Sequence, residues 1–263
     1  MPGSNEVKNE VKKVYGGIAI SNCTGSSCNR IYESPISGLP IEDYSKALGY
    51  TAEDLSEVKE HANLGLGCGN PTAIASLKEG ETVIDLGSGG GFDAFLAAKK
   101  VGPSGRVIGI DMTQEMIDLA TKNAQKRAAT NVEFKLGEIE NMPVDDNTAD
   151  VIISNCVINL AADKQKVFKE ASRVLKSGGR FAVSDIVATS KLPESTKNDL
   201  DKYTGCIGGA LEIDVLKSMM ESAGFINCQI NVKEDSRSYI ATWAPETKIE
   251  DYVASADIFG IKD

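Results

Sequence analysis

The sequence predicts an α/β fold: a doubly wound, mostly parallel sheet with helices on both faces. Three observations carry that expectation. From residue 82 onward, short apolar runs alternate with amphipathic stretches of helical period, the pattern of parallel strands joined by crossover helices. The first run ends in "DLGSGGGFD", a glycine-rich stretch that leads directly into a helical pattern. Acidic and thiol side chains recur where successive runs end, at the carboxyl edge where open α/β sheets bind ligands.

The elements follow in order. Val7, Val11 and Val14 fall at helical spacing among charged residues, so an amphipathic helix is expected over 6–15. "GGIAISNCTGSSCNR" is rich in Gly, Ser and Asn and reads as a loop carrying two thiols, Cys23 and Cys28. Thr51 with Asp54 is a capping-box pattern that starts a short helix, on which His61 is expected as a surface residue. Asn70-Pro71 reads as an N-cap with proline in the first turn of another helix. "TVIDLG", "RVIGID", "NVEFKLG", "ADVIISN" and "GRFAVSDI" are strands, and "GFDAFLAAKKV", "TQEMIDLATKNAQKRA" and "DKQKVFKEASRVLK" are helices. The last third adds the helix "EIDVLKSMMESAGF", the strand "INCQINVK", an unassigned stretch over 237–248 and a final strand in "YVASADIFGI". Two late strands after a parallel set predict one antiparallel member closing the sheet. Ile226, Cys228, Ile230 and Val232 alternate on one face and are expected to be core.

Composition excludes several classes. Of 263 residues, 41% are hydrophobic and 25% charged, ordinary for a soluble globular protein. The net charge of −10, from 38 acids against 28 bases, disfavours nucleic acid as a partner. No apolar run approaches the roughly 20 residues of a membrane span, and "MPGSNEVKNEVKKVY" lacks a secretory h-region. A cytoplasmic, reducing compartment is expected, with the six cysteines mostly as thiols. None of them forms a Cys-x-x-Cys pair and there is a single histidine, so a structural zinc site is not expected.

In the glycine stretch, Asp85 precedes Gly87, Gly89 and Gly91. Glycines there let a ligand approach the backbone at a helix start. Asp111, ending the second strand, suits a ribose diol, and Glu138, after the third, suits an adenine amino group. Both a dinucleotide and S-adenosylmethionine fit this pattern. Asp85 would repel a pyrophosphate but suits an ammonium group. The plainer alternative is a set of turn residues with solvated carboxylates.

"VIDLGSGGGFD", "GIDMT", "GEIENMP" and "RVLKSGGRF", in that order over about residues 70–190, resemble the S-adenosylmethionine-dependent methyltransferases with a seven-stranded Rossmann-like sheet. The resemblance implies that Asp85, Gly87, Gly89 and Gly91 line the methionine side of the cofactor. It implies that Asp111 binds the ribose, Met112 packs on adenine, Glu138 and Ile139 meet its edge, and Asn155 joins the cofactor contacts.

The acceptor is a separate question. Methylation of oxygen or nitrogen calls for a positioned base, and the lone histidine sits far from the strand ends in sequence. What lies near those ends is thiols: Cys156 in "SNCVINL", Cys206 in "YTGCIGGALE" and Cys68 in "LGLGCGNP". Thiolates choose soft partners. Three of them suit trivalent arsenic, whose lone pair can take a methyl group without a protein base. The competing reading is that free cysteines are small buried hydrophobes, and for Cys23 and Cys28 chemistry alone decides nothing.

"SNCVINL" joined to "DKQKV", with "GCIGGAL" and "GCGNP", resembles the arsenite S-adenosylmethionine methyltransferases over roughly residues 50–220. The resemblance implies Cys156 and Cys206 as the arsenic-binding pair, Cys68 as third ligand or reductant, and Cys28 as the N-terminal cysteine. It implies arsenite or its thiol adduct as substrate, mono- and dimethylated products, and an external thiol, glutathione or thioredoxin. Longer members carry a C-terminal domain not expected here. The expected organisation is 1–70 as N-terminal helices and a cysteine loop capping the site, 71–188 as the cofactor-binding core, and 189–263 as the arsenic-binding loop and completion of the sheet. Two other functions stay open: methylation of a quinone or other small carbon acceptor, and metalloid sequestration or sensing without turnover.

Overall fold

The computed structural model describes residues 3–23, 33–58, 62–244 and 247–263. Cys28 and His61 lie outside the described residues, as does the side chain of Cys23. The elements are α1 (Ser4–Cys23), α2 (Ile41–Ala47), α3 (Ala52–Glu57), α4 (Pro71–Ile74), β1 (Thr82–Leu86), α5 (Phe92–Val101), β2 (Arg106–Asp111), α6 (Gln114–Arg127), β3 (Val132–Leu136) and β4 (Ala149–Asn155). They continue with α7 (Lys164–Val174), β5 (Leu175–Ala188), α8 (Glu194–Lys197), α9 (Leu200–Thr204), β6 (Leu211–Glu212), α10 (Ile213–Ser222), β7 (Phe225–Lys233), α11 (Arg237–Ile240) and β8 (Val253–Lys262).

The sheet runs β3-β2-β1-β4-β5-β8-β7, and the two-residue β6 pairs with β5 as an eighth strand off that path. Strands β1 to β5 pair in parallel, and β8 is antiparallel to both β5 and β7. The expected architecture is therefore present, including the single antiparallel member. Alternation along the strands fills both faces. Ile84, Leu86, Ile108 and Ile152 pack with Val167 and Phe168 of α7, while Val83, Val107 and Val151 pack with Ala94, Ala97 and Val101 of α5. The strand order reverses at β1, which lies between β2 and β4. The loops after β1 and β4 thus face one crevice at the carboxyl edge.

Three local readings change. Helix α1 is longer than expected and runs through the "GGIAIS" segment read as loop. It does so because it packs closely on the start of α6: a Cβ on Gly16 would stand 3.3 Å from the Glu115 carboxylate, and Ala19 is fully buried. Tertiary burial outweighs the low helix propensity of two glycines. Residues 237–248 begin with the one-turn α11. In β7 a bulge between Ile226 and Gln229, with Asn227 at φ 54°, turns Ile226 out to 45% exposure. Cys228, Ile230 and Val232 remain against the core. The cap readings hold: the Thr51 side chain accepts from the Asp54 N–H, and that of Asn70 accepts from the Ala73 N–H.

Candidate active site

A solvent-open cavity lies over the switch point. Asp85, Gly87, Gly89, Asp111, Met112, Ile139 and Asn155 line it, together with Cys156. Helix α1 forms one wall through Lys8, Val11 and Tyr15.

The glycine loop suits a ligand with a positive group. Asp85 is 2% exposed and its Oδ2 has no hydrogen-bond partner. Burial first, then the nearby Asp93 and Asp111, push its carboxyl well above the usual range. An ammonium group would satisfy that oxygen and favour the ionised form. Gly87 must be glycine, since a Cβ would collide with Val157, whereas a Cβ on Gly89 would meet nothing nearer than Met116 Sδ at 4.0 Å. Gly91 lies behind the cavity as the αL N-cap of α5, held by the rings of Phe95 and Phe134. Asp111 accepts from Gly89 N at 3.1 Å and Thr113 N at 2.9 Å, and burial raises its carboxyl. These residues fit S-adenosylmethionine, whose amino-acid ammonium matches the orphaned Asp85 oxygen. Glu138 does not line the cavity: its carboxylate is 2.7 Å from Lys8 Nζ and 3.6 Å from Lys12 Nζ. The neighbouring Glu140 does line it, and is also 3.2 Å from Lys8 Nζ.

The three thiols read from the sequence come together beside this cavity. Cys156 follows β4 directly; its Sγ lies within 4.8 Å of the Cys68 thiol, and Cys206 reaches it through the Cys156 carbonyl. It forms part of the cavity wall, whereas Cys68 and Cys206 stand behind it, each fully buried. Cys156 and Cys206 both hold left-handed backbone, at φ 63° and 64°. That conformation costs a residue with a Cβ about 1–2 kcal/mol, and such strain gathers at functional sites. Cys206 Sγ–H donates to the Cys156 carbonyl at 2.8 Å. The Sγ atoms of Cys68 and Cys156 and a carboxylate oxygen of Asp185 all lie within 4.8 Å of one another. Burial pushes the Cys68 thiol up to about 11. Burial, then the nearness of the Cys206 and Cys68 thiols, pushes the Cys156 thiol up as well. Both are therefore neutral near pH 7.

Glycines around Cys68 are there for close approach. A Cβ on Gly67 would stand 2.5 Å from Asn155 Nδ2, and one on Gly69 would stand 2.5 Å from Ser184 Cβ. The Cys68 carbonyl accepts from Tyr239 at 3.0 Å and Ser255 at 2.7 Å.

Asp185, Asn159, Tyr15 and Asp93, whose carboxylate accepts from the Tyr50 hydroxyl at 2.6 Å, join the residues expected at the site. Asp185 was findable, because it ends the "GRFAVSDI" strand at the same carboxyl edge as Cys156. Tyr15 was not: it reaches Thr204 O at 3.0 Å, two residues before Cys206, only because α1 packs against α6 and α9.

This crevice, with its glycine loop and acidic strand ends on a Rossmann-like sheet, is that of a methyltransferase. Residues 77–224 match the family described as "Methyltransferase domain", and the chain belongs to it. Among its similar relatives are arsenite methyltransferases, in keeping with the cysteine motifs. The chain is 46% identical to the arsenite methyltransferase of Halobacterium salinarum, over 96% of this chain and 66% of that one. It is 38% identical to that of Homo sapiens, over 66% of this chain and 48% of that one. The chain thus spans less than two thirds of the length of these curated relatives. A solved arsenic(III) S-adenosylmethionine methyltransferase from Chlamydomonas reinhardtii superposes with a TM-score of 0.61 at 29% identity, covering 84% of this chain and 73% of that one. Among the described residues no helix is long and apolar enough to cross a membrane.

Proposed function

We propose that this chain is an arsenite methyltransferase that moves a methyl group from S-adenosylmethionine to trivalent arsenic held on Cys156, Cys206 and Cys68. The observation that carries the reading is that Cys156, in the wall of the methyltransferase cavity, has the Cys68 thiol within 4.8 Å and accepts a bond from the Cys206 thiol at its carbonyl.

The cofactor, when bound, supplies an electrophilic sulfonium methyl. Asp85 holds its ammonium end, and Asp111 and Ile139 hold the nucleoside. Arsenite binds by exchange: each thiol gives its proton to an arsenic-bound hydroxyl, an As–S bond forms and water leaves. Neutral thiols serve this exchange well, so the raised thiol values are no obstacle. Proximity then supplies much of the rate, because Cys156 sits at the cavity wall. The arsenic lone pair is the nucleophile, which is why no histidine or other base is required. Taking the methyl oxidises arsenic from III to V, so the return to the trivalent state needs two electrons. A dithiol going to a disulfide provides them. Glutathione or reduced thioredoxin, in a reducing cytoplasm, delivers arsenite as a thiol adduct and restores the protein thiols. Cys28 belongs to this set as the N-terminal cysteine.

The test supplies arsenite and methyl-labelled cofactor and measures methylated arsenic. Label should pass to mono- and dimethylated arsenic, and Cys156→Ser or Cys206→Ser should abolish it. Undiminished transfer in both variants would refute the reading. Tight arsenite binding without S-adenosylhomocysteine release would mark a sequestering protein instead.

A further inference from the structure

Behind the thiols lies a buried polar pair that the reaction as described does not use. Asp185 is 1% exposed and Asn159 is 4% exposed. An ionised carboxylate offers about four lone-pair positions, and at Asp185 all are taken. One oxygen accepts from Asn159 Nδ2 and Ile186 N, each at 2.8 Å. The other accepts from Ile158 N at 2.8 Å and Asn159 N at 3.4 Å. Although an Asp185 oxygen lies within 4.8 Å of two thiols, it has no lone pair left for a metalloid.

Asn159 carries the connection onward. Its Nδ2 also reaches the Ile186 carbonyl at 2.6 Å and the Cys206 carbonyl at 3.3 Å. The Cys206 thiol returns to the Cys156 carbonyl at 2.8 Å. A Cβ on Gly209 would collide with the Asn159 carbonyl, so the Cys206 loop rests directly on this residue. One side-chain pair thus touches the turn leaving Cys156, the end of β5 and the backbone of Cys206.

We propose that Asn159 and Asp185 are positioning residues that fix the spacing of Cys156 and Cys206 for a three-sulfur arsenic site, with Asp185 outside the ligand set. This rests on the arsenic site proposed above. Groups that orient the ligands of a metal site typically change its affinity by about 10- to 100-fold when removed.

The experiment uses the full chain with arsenite alone and reads the atoms around arsenic by X-ray absorption. Arsenite affinity and S-adenosylmethionine affinity are measured beside it. The wild type should hold arsenic on three sulfurs with no carboxylate oxygen. Asn159→Leu, which keeps size and removes every bond its side chain donates, should hold it on two sulfurs. Its arsenite affinity should fall about 10- to 100-fold with cofactor affinity unchanged. Asp185→Asn turns one acceptor into a donor against the N–H groups it faces and should act in the same direction. It supplies the reading if Asn159→Leu does not fold. A folded variant of either kind that keeps three sulfurs and wild-type affinity overturns the proposal, as does an equal loss of cofactor affinity. A carboxylate oxygen on arsenic in the wild type overturns it as well. Three-sulfur binding without methyl transfer would sink the proposed function and leave this inference standing, whereas a wild type without three-sulfur binding would sink the inference.

Discussion

The Asn155 side-chain oxygen accepts from the Cys68 N–H at 2.9 Å, tying the end of β4 to a loop 87 residues earlier in the chain. It also accepts from Gly69 N at 3.3 Å, and its Nδ2 donates to Gly69 O, Asp93 and the Tyr50 hydroxyl. Asn155→Leu leaves several of these groups without partners, which should lower stability by about 1–3 kcal/mol. Urea denaturation measures the loss. Alkylation of Cys68 should become faster as its loop loosens. Unchanged protection of Cys68 would show that other contacts hold it.

The close approaches at Gly67 and Gly69 lead to a second prediction. Gly69→Ala forces a Cβ against Ser184, and overpacking of this kind costs about 1–3 kcal/mol. Arsenite affinity should fall with stability, because Cys68 is the adjacent residue. Adding Ser184→Gly opens the space again and should return part of both. A double variant no better than Gly69→Ala alone would place the fault in backbone conformation and not in the contact.

Much of this was legible in the sequence, and the reason differs from element to element. The strands β1, β2 and β4 are short apolar runs, and their period and spacing suffice to identify them. Cys156, Asp85 and Asp111 were legible because a strand end is a fixed place in an open α/β sheet. Cys206 and Cys68 needed glycine context, which the structure traces to contacts with Ser184, Asn155 and Asn159. The length of α1 was hidden because Gly16 and Gly17 look like loop until the surface of α6 lies beneath Gly16. The engagement of Glu138 with Lys8 was hidden for the same reason: it depends on where α1 lies.

Buried acids should make stability depend on pH in an unusual direction. Burial, offset by hydrogen bonds from Tyr50 and Asn155, leaves the Asp93 carboxyl raised from 3.8 to about 6. Between those values the folded chain binds more proton at this site than the unfolded chain does. Stability from this group is therefore greatest in acid, falls as pH rises from about 4 to about 6, and is level above that. The span corresponds to about 3 kcal/mol at most. The stability of wild type relative to Asp93→Asn, followed by urea denaturation, should fall over that window. A difference that rises with pH instead would mean that ionised Asp93 is the favoured form in the fold.

Lys8 joins α1 to the loop after β3, with Nζ 2.7 Å from Glu138 and 3.2 Å from Glu140. The Lys8–Glu138 pair is partly exposed and contributes about 0–1 kcal/mol, but Glu140 is buried, so Lys8→Ala strips its carboxylate of this cation and should lower the denaturation midpoint. A kinetic effect should accompany it, because α1 walls the cavity through Lys8, Val11 and Tyr15. With the pairs removed, α1 parts more readily from the loop, and bound S-adenosylmethionine should dissociate several-fold faster. The Debye length falls from about 10 Å at 0.1 M salt to about 3 Å at 1 M, so it takes salt near the molar range to screen contacts this short. Raising the salt should therefore speed dissociation from the wild type toward the rate of the variant while leaving the variant little changed. Stopped-flow displacement of the cofactor at low and high salt measures both. If wild type and Lys8→Ala share one rate and one salt dependence, the ion pairs do not hold the helix over the site.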